Sequence, residues 1–558
     1  MFLPLRSALA LALTGTAVAL AQTAQPPVEP TPVAHAAFPT GAATPLGAQI
    51  EGLLADPKVA RAHWGIAVTE MDGTPIYGLD EGKLFRPASN AKIFTTATAM
   101  ALIGPETRVT TAVEGPLGSR GSKVLDGNLR LVGAGDANLS ARQIPYMSPA
   151  ERKRAAQTGA PSPKPEPLRY LTELADGLVQ EGVTRIRGAV VGDDSLWPSE
   201  PYAADWTIDD ALWGYGAPVS ALTINDNQIA LRVSPGAKEG GPANVTLDPA
   251  SPSYYNLDTK GLHTGPAKSG NHVSFERNPG SRTLRLWGTL GLDSPADDEE
   301  IAIEDPAEYA AMALRQILIA KGVRVDGPAR AEHRLQTETA GFTKQVNTLL
   351  PKLPTEPLNA GISRLLTGRQ SCSDACPVRV EHVSPSMTED VTVTMKVSQN
   401  LHAELLLRRL GKAFGEDGTS AQGARVVRQF LLNAGLDGDD FVFYDGSGLS
   451  AHDLIAPRAA AQLLSFAAKQ PWFAPWKSGL PVGGEDGTLA SRFPSAPLKD
   501  HLFAKTGTLS ETRALSGYLD CASGKVVIFS IIVDNHTPVT SDDRAAMDKI
   551  VAAIAASE

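Results

Sequence analysis

Three short polar motifs lie far apart in this chain of 558 residues, and one interval between them is very long. Ser89-Asn90-Ala91-Lys92 comes first, Ser398-Gln399-Asn400 follows, and Lys505-Thr506-Gly507-Thr508 comes last. The interval from Lys92 to Ser398 is too long for a single loop, since structureless loops rarely exceed about 15 residues in compact domains. This interval must therefore contain folded structure of its own.

The first motif places a serine and a lysine three positions apart at the start of an apolar run. Pro87 is a helix start signal, and residues 93–102 predict a buried helix. On that helix Ser89 and Lys92 share one face, where a lysine with a lowered pKa can activate the hydroxyl. The N–H groups of Ser89 and Thr508 are the predicted oxyanion donors. The alternative is a capping serine beside a surface lysine, a pattern that chance supplies about once in such a chain.

The second motif precedes a strong helix pattern, with Gly411 as its predicted end. Glu404 and Arg408 are spaced for an ion pair on that helix. Ser398 would lie in the preceding turn, where its hydroxyl could pass a proton between the lysine and a leaving nitrogen. Asn400 could bond both the lysine and a substrate amide. The alternative is a polar helix cap.

The third motif precedes two β-like runs joined by a hairpin-length connection at residues 522–525. The motif is therefore predicted to form an edge strand beside an antiparallel hairpin. Lys505 contributes positive charge, and Thr506 and Thr508 offer hydroxyls to a substrate carboxylate. Gly507 lets a substrate backbone approach closely. A polar turn between strands would explain the glycine but not the whole set.

With their surroundings, the motifs resemble the low-molecular-mass class C penicillin-binding proteins, the exported D-alanyl-D-alanine carboxypeptidase/endopeptidase family. The segments that carry this resemblance are residues 86–92, 131–139, 215–222, 445–450 and 484–489, in the family's order. Asp136 and the turn that begins at Asp445 are expected to shape the site and not to catalyse. Gln399 departs from the family, whose members often carry Asp there, and is expected to point away from the chemistry.

The resemblance implies an α/β (α+β) fold, in which a β-lactamase/transpeptidase-like domain has a central antiparallel sheet flanked by helices and carries inserted, mainly β accessory domains. We expect the catalytic domain at residues 45–106 and 378–558, and either one inserted domain or two nested ones at 107–335. Within the insertion, β-like runs alternate with turns, and one amphipathic helix is predicted at 307–321. Residues 336–377 are loop-rich and have no predicted role.

The N-terminus has the features of an export signal. Residues 1–21 combine a positive residue, an apolar run and small residues before a cleavage site, and 22–44 form a Pro/Ala/Thr-rich linker. An uncleaved N-terminal anchor is the alternative, and no membrane span is expected after cleavage. The net charge of −10 argues against nucleic-acid binding, which usually requires a basic surface.

The three cysteines are Cys372, Cys376 and Cys521. The first two are close in a polar loop, where they either form a disulfide in an exported protein or stay reduced. Two thiols without a nearby His pair are too few for zinc, and no metal or organic cofactor is expected.

Four histidines lie near the motifs, namely His402, His452, His501 and His536. No G-x-S-x-G segment surrounds a serine in this chain, so a Ser-His-Asp mechanism is disfavoured.

By resemblance, the chain is expected to be a penicillin-sensitive serine D,D-peptidase of the periplasm or cell-wall space. Its expected partners are peptidoglycan stem peptides, cut at D-Ala-D-Ala termini or at cross-links through an acyl-enzyme, with β-lactams as inhibitors. The predicted site residues are Ser89, Lys92, Ser398, Asn400 and Lys505 as catalytic groups and Thr506, Gly507 and Thr508 as substrate-binding groups. The alternatives are a serine β-lactamase or esterase on the same scaffold and a non-catalytic cell-wall-binding protein.

Overall fold

A computed structural model describes residues 35–117, 122–158, 166–250, 252–358, 362, 366, 378–537 and 540–558. The predicted signal peptide, most of the predicted linker, and Cys372 and Cys376 lie outside the described residues. Within these ranges, no helix has both the length and the apolar character needed to cross a membrane.

Helices and strands both occur throughout the described chain. The helices are α1 Pro45–Leu54, α2 Ala91–Leu102, α3 Pro149–Gln157, α4 Arg169–Gln180, α5 Pro306–Ala320, α6 Phe342–Asn347, α7 Met387–Lys396, α8 Asn400–Phe414, α9 Ser420–Asn433, α10 Pro457–Ala467, α11 Phe473–Ser478 and α12 Asp542–Ser557. The strands are β1 His63–Glu70, β2 Pro75–Leu79, β3 Thr110–Gly115, β4 Val124–Leu125, β5 Leu129–Val132, β6 Arg185–Ile186, β7 Val190–Pro198, β8 Gln228–Ser234, β9 Asn244–Asp248, β10 Asn256–Gly265, β11 Asn271–Glu276, β12 Thr283–Gly291, β13 Asp297–Ala302, β14 Arg324–Val325, β15 Ala329–Arg334, β16 Val378–Val383, β17 Phe441–Val442, β18 Leu454–Ile455, β19 Leu502–Leu509, β20 Thr512–Asp520 and β21 Val526–Asp534.

A five-stranded antiparallel sheet combines strands from both ends of the chain. Its order is β19-β20-β21-β1-β2, and the register pairs Ile66 of β1 with Ile531 of β21. The predicted hairpin is formed by β20 and β21, and β19 is the edge strand that the third motif predicted. The predicted fold class, a central antiparallel sheet flanked by helices with further mainly β structure, is confirmed.

Strand β21 shows why helices cover both faces of this sheet. Phe529 and Val533 belong to a buried cluster with α1 and α12, whereas Ile528 and Ile532 join the opposite cluster, which contains residues of α2, α8 and α10. A strand buried on both faces appears in the sequence as a continuous apolar run, as this one does. Each such side chain contributes about 1.5–3 kcal/mol to folding when it leaves water.

The interval between the first two motifs is mainly β structure. A mixed sheet has the order β15-β7-β5-β3-β16, and smaller sheets have the orders β10-β12-β11, β13-β8-β9 and β14-β6-β4. The predicted helix is α5, which is capped by Asp305 through a bond from the N–H of Glu308. Because β16 pairs with β3, the mixed sheet extends to Val383. The domain boundaries given above stay a prediction.

Two local expectations about α8 are wrong. The helix continues past Gly411, where a Cβ would lie 2.7 Å from the backbone nitrogen of Gly423, so this glycine allows α8 and α9 to pack closely. Glu404 and Arg408 also have other partners, because both are buried. Glu404 accepts bonds from a loop beside the first motif, and Arg408 forms an ion pair with Glu200.

The described part of the loop-rich segment covers the helical layer. Its helix α6 lies against α9, where the Nε2 of Gln422 donates to the Oε1 of Gln345 at 3.1 Å. The ring of Phe342 stacks on that of Tyr444 with centroids 4.7 Å apart. Leu353 joins the buried cluster on the α2 face. This segment, for which no role was predicted, therefore contributes to the core.

Candidate active site

The first motif forms a tight turn at the start of a buried helix. Ala88–Asn90 make one 3-10 turn after Pro87, and α2 begins at Ala91. Ser89 therefore lies at the N-terminal end of α2, and Lys92 lies in its first turn. Nearly every residue of α2 is buried, and Lys92 is fully removed from solvent.

The side-chain nitrogen of Lys92 has three polar neighbours. It lies 2.9 Å from the Oγ of Ser89, 2.7 Å from the Oδ1 of Asn400 and 2.7 Å from the carbonyl oxygen of Ser447. Amide and peptide oxygens only accept, so together they take two N–H groups from the amine. In the neutral amine this leaves the lone pair for the hydroxyl of Ser89. The arrangement suits removal of the serine proton by an unprotonated lysine.

Burial of the two motif lysines favours their neutral forms. The pKa of Lys92 is lowered to about 7, chiefly by desolvation, although Asp445, Glu404 and Asp453 act in the opposite direction. Desolvation, followed by the positive charge of Lys92, also holds the pKa of Lys505 well below its usual value. An unprotonated lysine is therefore available near neutral pH.

The second motif occupies the turn between α7 and α8. Ser398 has a φ of +59°, a left-handed conformation that costs a non-glycine residue about 1–2 kcal/mol. Its Oγ accepts a hydrogen bond of 2.8 Å from the Nζ of Lys505. Because Asn400 contacts Lys92, this one turn touches the lysines of both other motifs.

Strand β19 brings the third motif beside the nucleophile turn. A Cβ at Gly507 would lie 2.7 Å from the carbonyl oxygen of Pro87 and 3.0 Å from the Cβ of Ala514. Glycine is therefore needed for close packing of β19 on the turn that contains Ser89, a reason that differs from the substrate approach expected from sequence.

Asn90, the second residue of the first motif, joins the nucleophile turn to the sheet. It is fully buried, and in its hydrogen-bonding orientation its amide nitrogen donates to the carbonyl of Lys505 at 2.9 Å. Its amide oxygen accepts the N–H of Leu515 at 3.2 Å. The turn is thus fastened to both β19 and β20.

The threonines of the third motif are more exposed to solvent than its lysine. Thr508 is exposed and Thr506 is partly exposed, whereas Lys505 and Gly507 are buried. The Oγ1 of Thr506 lies 2.8 Å from the Oγ1 of Thr488, which belongs to the fifth of the resembling segments. Thr488 was not singled out from the sequence.

The carbonyl that binds Lys92 belongs to a loop that starts at Asp445. The carboxylate of Asp445 accepts the N–H of Gly448 at 2.6 Å, and the Oε1 of Glu404 accepts the N–H of Ser447 at 2.8 Å. Desolvation, followed by the charge of Asp445, raises the pKa of Glu404 to about 8. Asp445 shapes the loop as its turn pattern predicted, but no sequence signal pointed to Glu404 or to a backbone carbonyl.

The inserted interval also reaches the site. The carbonyl oxygen of Tyr215 accepts a bond of 2.9 Å from the Nδ2 of Asn400. The Nε1 of Trp206 donates to the Oδ2 of Asp445 at 2.9 Å. Both contacts brace groups that surround Lys92, and neither was expected from the sequence.

The four histidines near the motifs have partners other than Ser89. His402 is buried between Asp226 and Asp390. The distances to the paired carboxylates are 3.7 Å for His452 and Asp205, 3.8 Å for His501 and Asp520, and 3.5 Å for His536 and Asp543. These histidines do not build a Ser-His-Asp arrangement around Ser89.

One group of possible metal ligands occurs among the described residues. His35, Asp437 and Asp440 bring their ligand atoms within 4.8 Å of one another. Asp440 also accepts two bonds of 2.7 Å from the guanidinium of Arg458, which already neutralises that carboxylate. The group joins the start of the described chain to the loop after α9. Cys521, the cysteine that the structure describes, is buried with a free thiol.

The chain matches known proteins over most of its length. The model of the D-Ala-D-Ala carboxypeptidase 3 (S13) family matches residues 46–343 and 361–554. The chain is 30% identical over 521 residues to a D-alanyl-D-alanine carboxypeptidase of Actinomadura sp., covering 90% of this chain and 84% of that protein. It is 24% identical over 514 residues to penicillin-sensitive carboxypeptidase A of Dictyostelium discoideum, covering 88% and 86%.

A solved structure shows the same fold. The crystal structure of penicillin binding protein 4 from Haemophilus influenzae covers 90% of this chain and 97% of its own, with a TM-score of 0.69 and 19% identity. That protein has also been solved in complex with a β-lactam, and this second structure matches with a TM-score of 0.64.

Proposed function

Because the chain belongs to the D-Ala-D-Ala carboxypeptidase 3 (S13) family of serine peptidases, we propose that it cleaves peptidoglycan stem peptides through an acyl-enzyme on Ser89. It would remove a terminal D-Ala as a carboxypeptidase and open D-Ala cross-links as an endopeptidase. The observation that carries this proposal is the Nζ of Lys92, which lies 2.9 Å from the Oγ of Ser89 and has two acceptors for its remaining N–H groups.

Acylation begins when Ser89 attacks the carbonyl carbon of the penultimate D-Ala. The hydroxyl proton moves to the Nζ of Lys92, whose pKa desolvation lowers to about 7. The oxyanion that forms on the carbonyl oxygen accepts N–H bonds from Ser89 and Thr508. Since Ser89 lies at the start of α2, the positive end of the helix dipole also stabilises this negative charge.

The leaving nitrogen needs a proton before the peptide bond breaks. In this proposal the hydroxyl of Ser398 supplies it, and the Lys92 ammonium then returns to Ser398 the proton that it took from Ser89. The Nζ of Lys505, which donates to the Oγ of Ser398 at 2.8 Å, holds that hydroxyl in place. Water then attacks the ester carbonyl, and Ser89 recovers its proton as the acid is released. The accessible hydroxyls of Thr506 and Thr508 would bind the substrate carboxylate.

A β-lactam would acylate the same serine because its strained amide presents the same carbonyl. The leaving nitrogen of a lactam stays tethered to the acyl group, so it remains near the ester and hinders the approach of water. The predicted signal at residues 1–21 supports export to the compartment that contains peptidoglycan.

The test of this proposal is mass analysis of the intact protein after benzylpenicillin, followed by location of the modified peptide. We expect one penicilloyl adduct per chain, on Ser89, that persists through gel filtration. Heat-denatured protein is the control and should carry no adduct, since acylation depends on the folded site. An adduct on another residue contradicts the assignment of Ser89, and rapid turnover of the antibiotic favours the β-lactamase alternative.

The two peptidase activities are separated by their substrates. Incubation with a pentapeptide muropeptide is expected to release D-Ala, and incubation with a cross-linked dimer is expected to yield monomers. Release of D-Ala without dimer cleavage would restrict the enzyme to carboxypeptidase action.

The rate of acylation is expected to depend on pH through Lys92. Because only its neutral form accepts the serine proton and its pKa is about 7, the second-order rate should fall about tenfold per pH unit below 7 and level off above it. The measurement is the rate of acylation by benzylpenicillin between pH 5 and 9. A profile that still rises about tenfold per pH unit between pH 8 and 9 would mean that Lys92 keeps the usual pKa of a lysine.

A further inference from the structure

The inserted interval meets the second motif at a buried carboxylate. Asp226 is 3% exposed and lies in a short turn before β8, with a φ of +54°. Its Oδ2 accepts a bond from Arg142 and a second one, at 3.3 Å, from the Nε2 of Gln399. Its Oδ1 lies 3.4 Å from the Nε2 of His402. One side chain of the interval therefore contacts the residue directly before Asn400 and the residue two positions after it.

His402 must carry a positive charge in this arrangement. Its Nε2 faces Asp226 and its Nδ1 lies 2.8 Å from the Oδ1 of Asp390, on α7. A carboxylate only accepts, so each ring nitrogen has to carry a proton. Burial by itself lowers the pKa of His402, but the bonds to Asp226 and Asp390 outweigh it and raise the pKa. The Nη1 of Arg409 donates to the other oxygen of Asp390 at 2.7 Å.

These contacts surround a turn that needs support. A left-handed serine such as Ser398 persists only where its surroundings hold it. Two residues of the interval bind this turn. Asp226 accepts a hydrogen bond from Gln399, and the carbonyl of Tyr215 accepts one of 2.9 Å from Asn400. His402 ties the first turn of α8 to Asp226 as well. The turn at residues 398–400 is thus fixed from outside its own two helices.

The side-chain amide of Gln399 can donate to the carboxylate of Asp226 without adding a negative charge. Its Nε2 donates to Asp226 while its Oε1 accepts the N–H of Leu401 at 3.0 Å. An acidic side chain in place of Gln399 would bring a second negative charge toward the carboxylate of Asp226, and like charges at this distance repel in a buried site.

We propose that Asp226 is a positioning residue, which holds Gln399 and His402 so that Ser398 and Asn400 meet Lys505 and Lys92. This inference rests on the proposed function, because it assigns a catalytic purpose to the turn. It makes the inserted interval a required support of the active site, whatever else that interval binds.

The first test compares two buried aspartates of the interval in the full-length protein. Asp226→Asn is expected to lower the rate of benzylpenicillin acylation and the kcat of D-Ala release about tenfold or more, because small misplacements of catalytic groups are costly. The KM should change less than about threefold, since Asp226 does not touch the substrate. Asp193→Asn is the matched control. Asp193 is 2% exposed, accepts a bond of 2.6 Å from Arg130, and should affect Tm but not acylation.

The second test uses charge exchange between the two partners. Gln399→Glu alone is expected to slow acylation about tenfold, because it opposes two carboxylates. In the double variant Asp226→Asn/Gln399→Glu, the new amide can donate to the new carboxylate, and acylation should recover at least threefold over either single variant. Recovery of this kind is not produced by a general loss of stability.

The outcomes distinguish a failure of this inference from a failure of the proposed function. Acylation of wild type and Asp226→Asn at equal rates overturns this inference alone. Equal losses of acylation in Asp226→Asn and Asp193→Asn, or strictly additive losses in the double variant, also overturn it. A wild-type protein that forms no acyl-enzyme overturns the proposed function, and this inference with it.

Discussion

Lys92→Met is expected to lower the rate of Ser89 acylation by about a thousandfold, the middle of the range attributed to a positioned general base. Methionine fills nearly the same buried volume but has no lone pair that can take the serine proton. The variant also leaves the acceptors of Asn400 and Ser447 without the N–H groups that now reach them. Unpaired buried acceptors cost about 1–3 kcal/mol each, so some loss of stability should accompany the loss of rate.

Two further variants test whether the rate depends on the proton-accepting amine of Lys92 or only on a positive charge. Lys92→Arg keeps a cation but cannot lose its proton near neutral pH, so it should be about as slow as Lys92→Met. Lys321→Met removes a lysine that pairs with Asp176 in the interval, and it should acylate at the wild-type rate. The measurement is the second-order rate of acylation by benzylpenicillin for each protein. A Lys92→Met protein that keeps a tenth or more of the rate would assign the base to another group.

Gly448→Ala is expected to be the most damaging glycine substitution near the site. A Cβ there would lie 1.8 Å from the carbonyl oxygen of Ala88, and the φ of +78° is unfavourable for any other residue. Overpacking and backbone strain together should lower the free energy of unfolding by about 2–5 kcal/mol. Because Ala88 precedes the nucleophile, displacement of its turn should also slow acylation by about a hundredfold.

Gly435→Ala is the matched control for this prediction. Gly435 has a φ of +88°, but no heavy atom lies within 4 Å of the position of its Cβ. It should lose only about 1–2 kcal/mol from backbone strain and should acylate normally. Urea unfolding and acylation rates measure the two effects. If both variants behave alike, the contact between Gly448 and the nucleophile turn has no importance for the site.

Secondary structure around the motifs was largely predictable because it depends on local pattern. The apolar run after Lys92 does form the buried helix α2, and the two β-like runs after the third motif do form the hairpin of β20 and β21. The end of α8 was not predictable in this way. Glycine is common at helix ends, and Gly411 was therefore predicted to end α8. The backbone of α9 packs against Gly411 instead, and the helix continues past it.

Groups that support the site but lie outside the three motifs could not be predicted from the sequence. The carbonyls of Ser447 and Tyr215 hold Lys92 and Asn400, yet a backbone carbonyl is present at every position and gives no signal. Glu404 has the spacing of a surface ion pair on an amphipathic helix. Only its burial against the loop that starts at Asp445 shows that it binds backbone N–H groups there.

The sequence by itself determined which chemical groups are available and to which family the chain belongs, because residue type and motif order are properties of the chain. The tertiary structure alone decided the state of those groups. A lysine exposed to water is protonated at pH 7 and cannot accept a proton, whereas the pKa of Lys92 is about 7 because the fold removes it from solvent. That desolvation, like the contact between Asp226 and Gln399, which are 173 residues apart, depends on distant segments that meet only after folding.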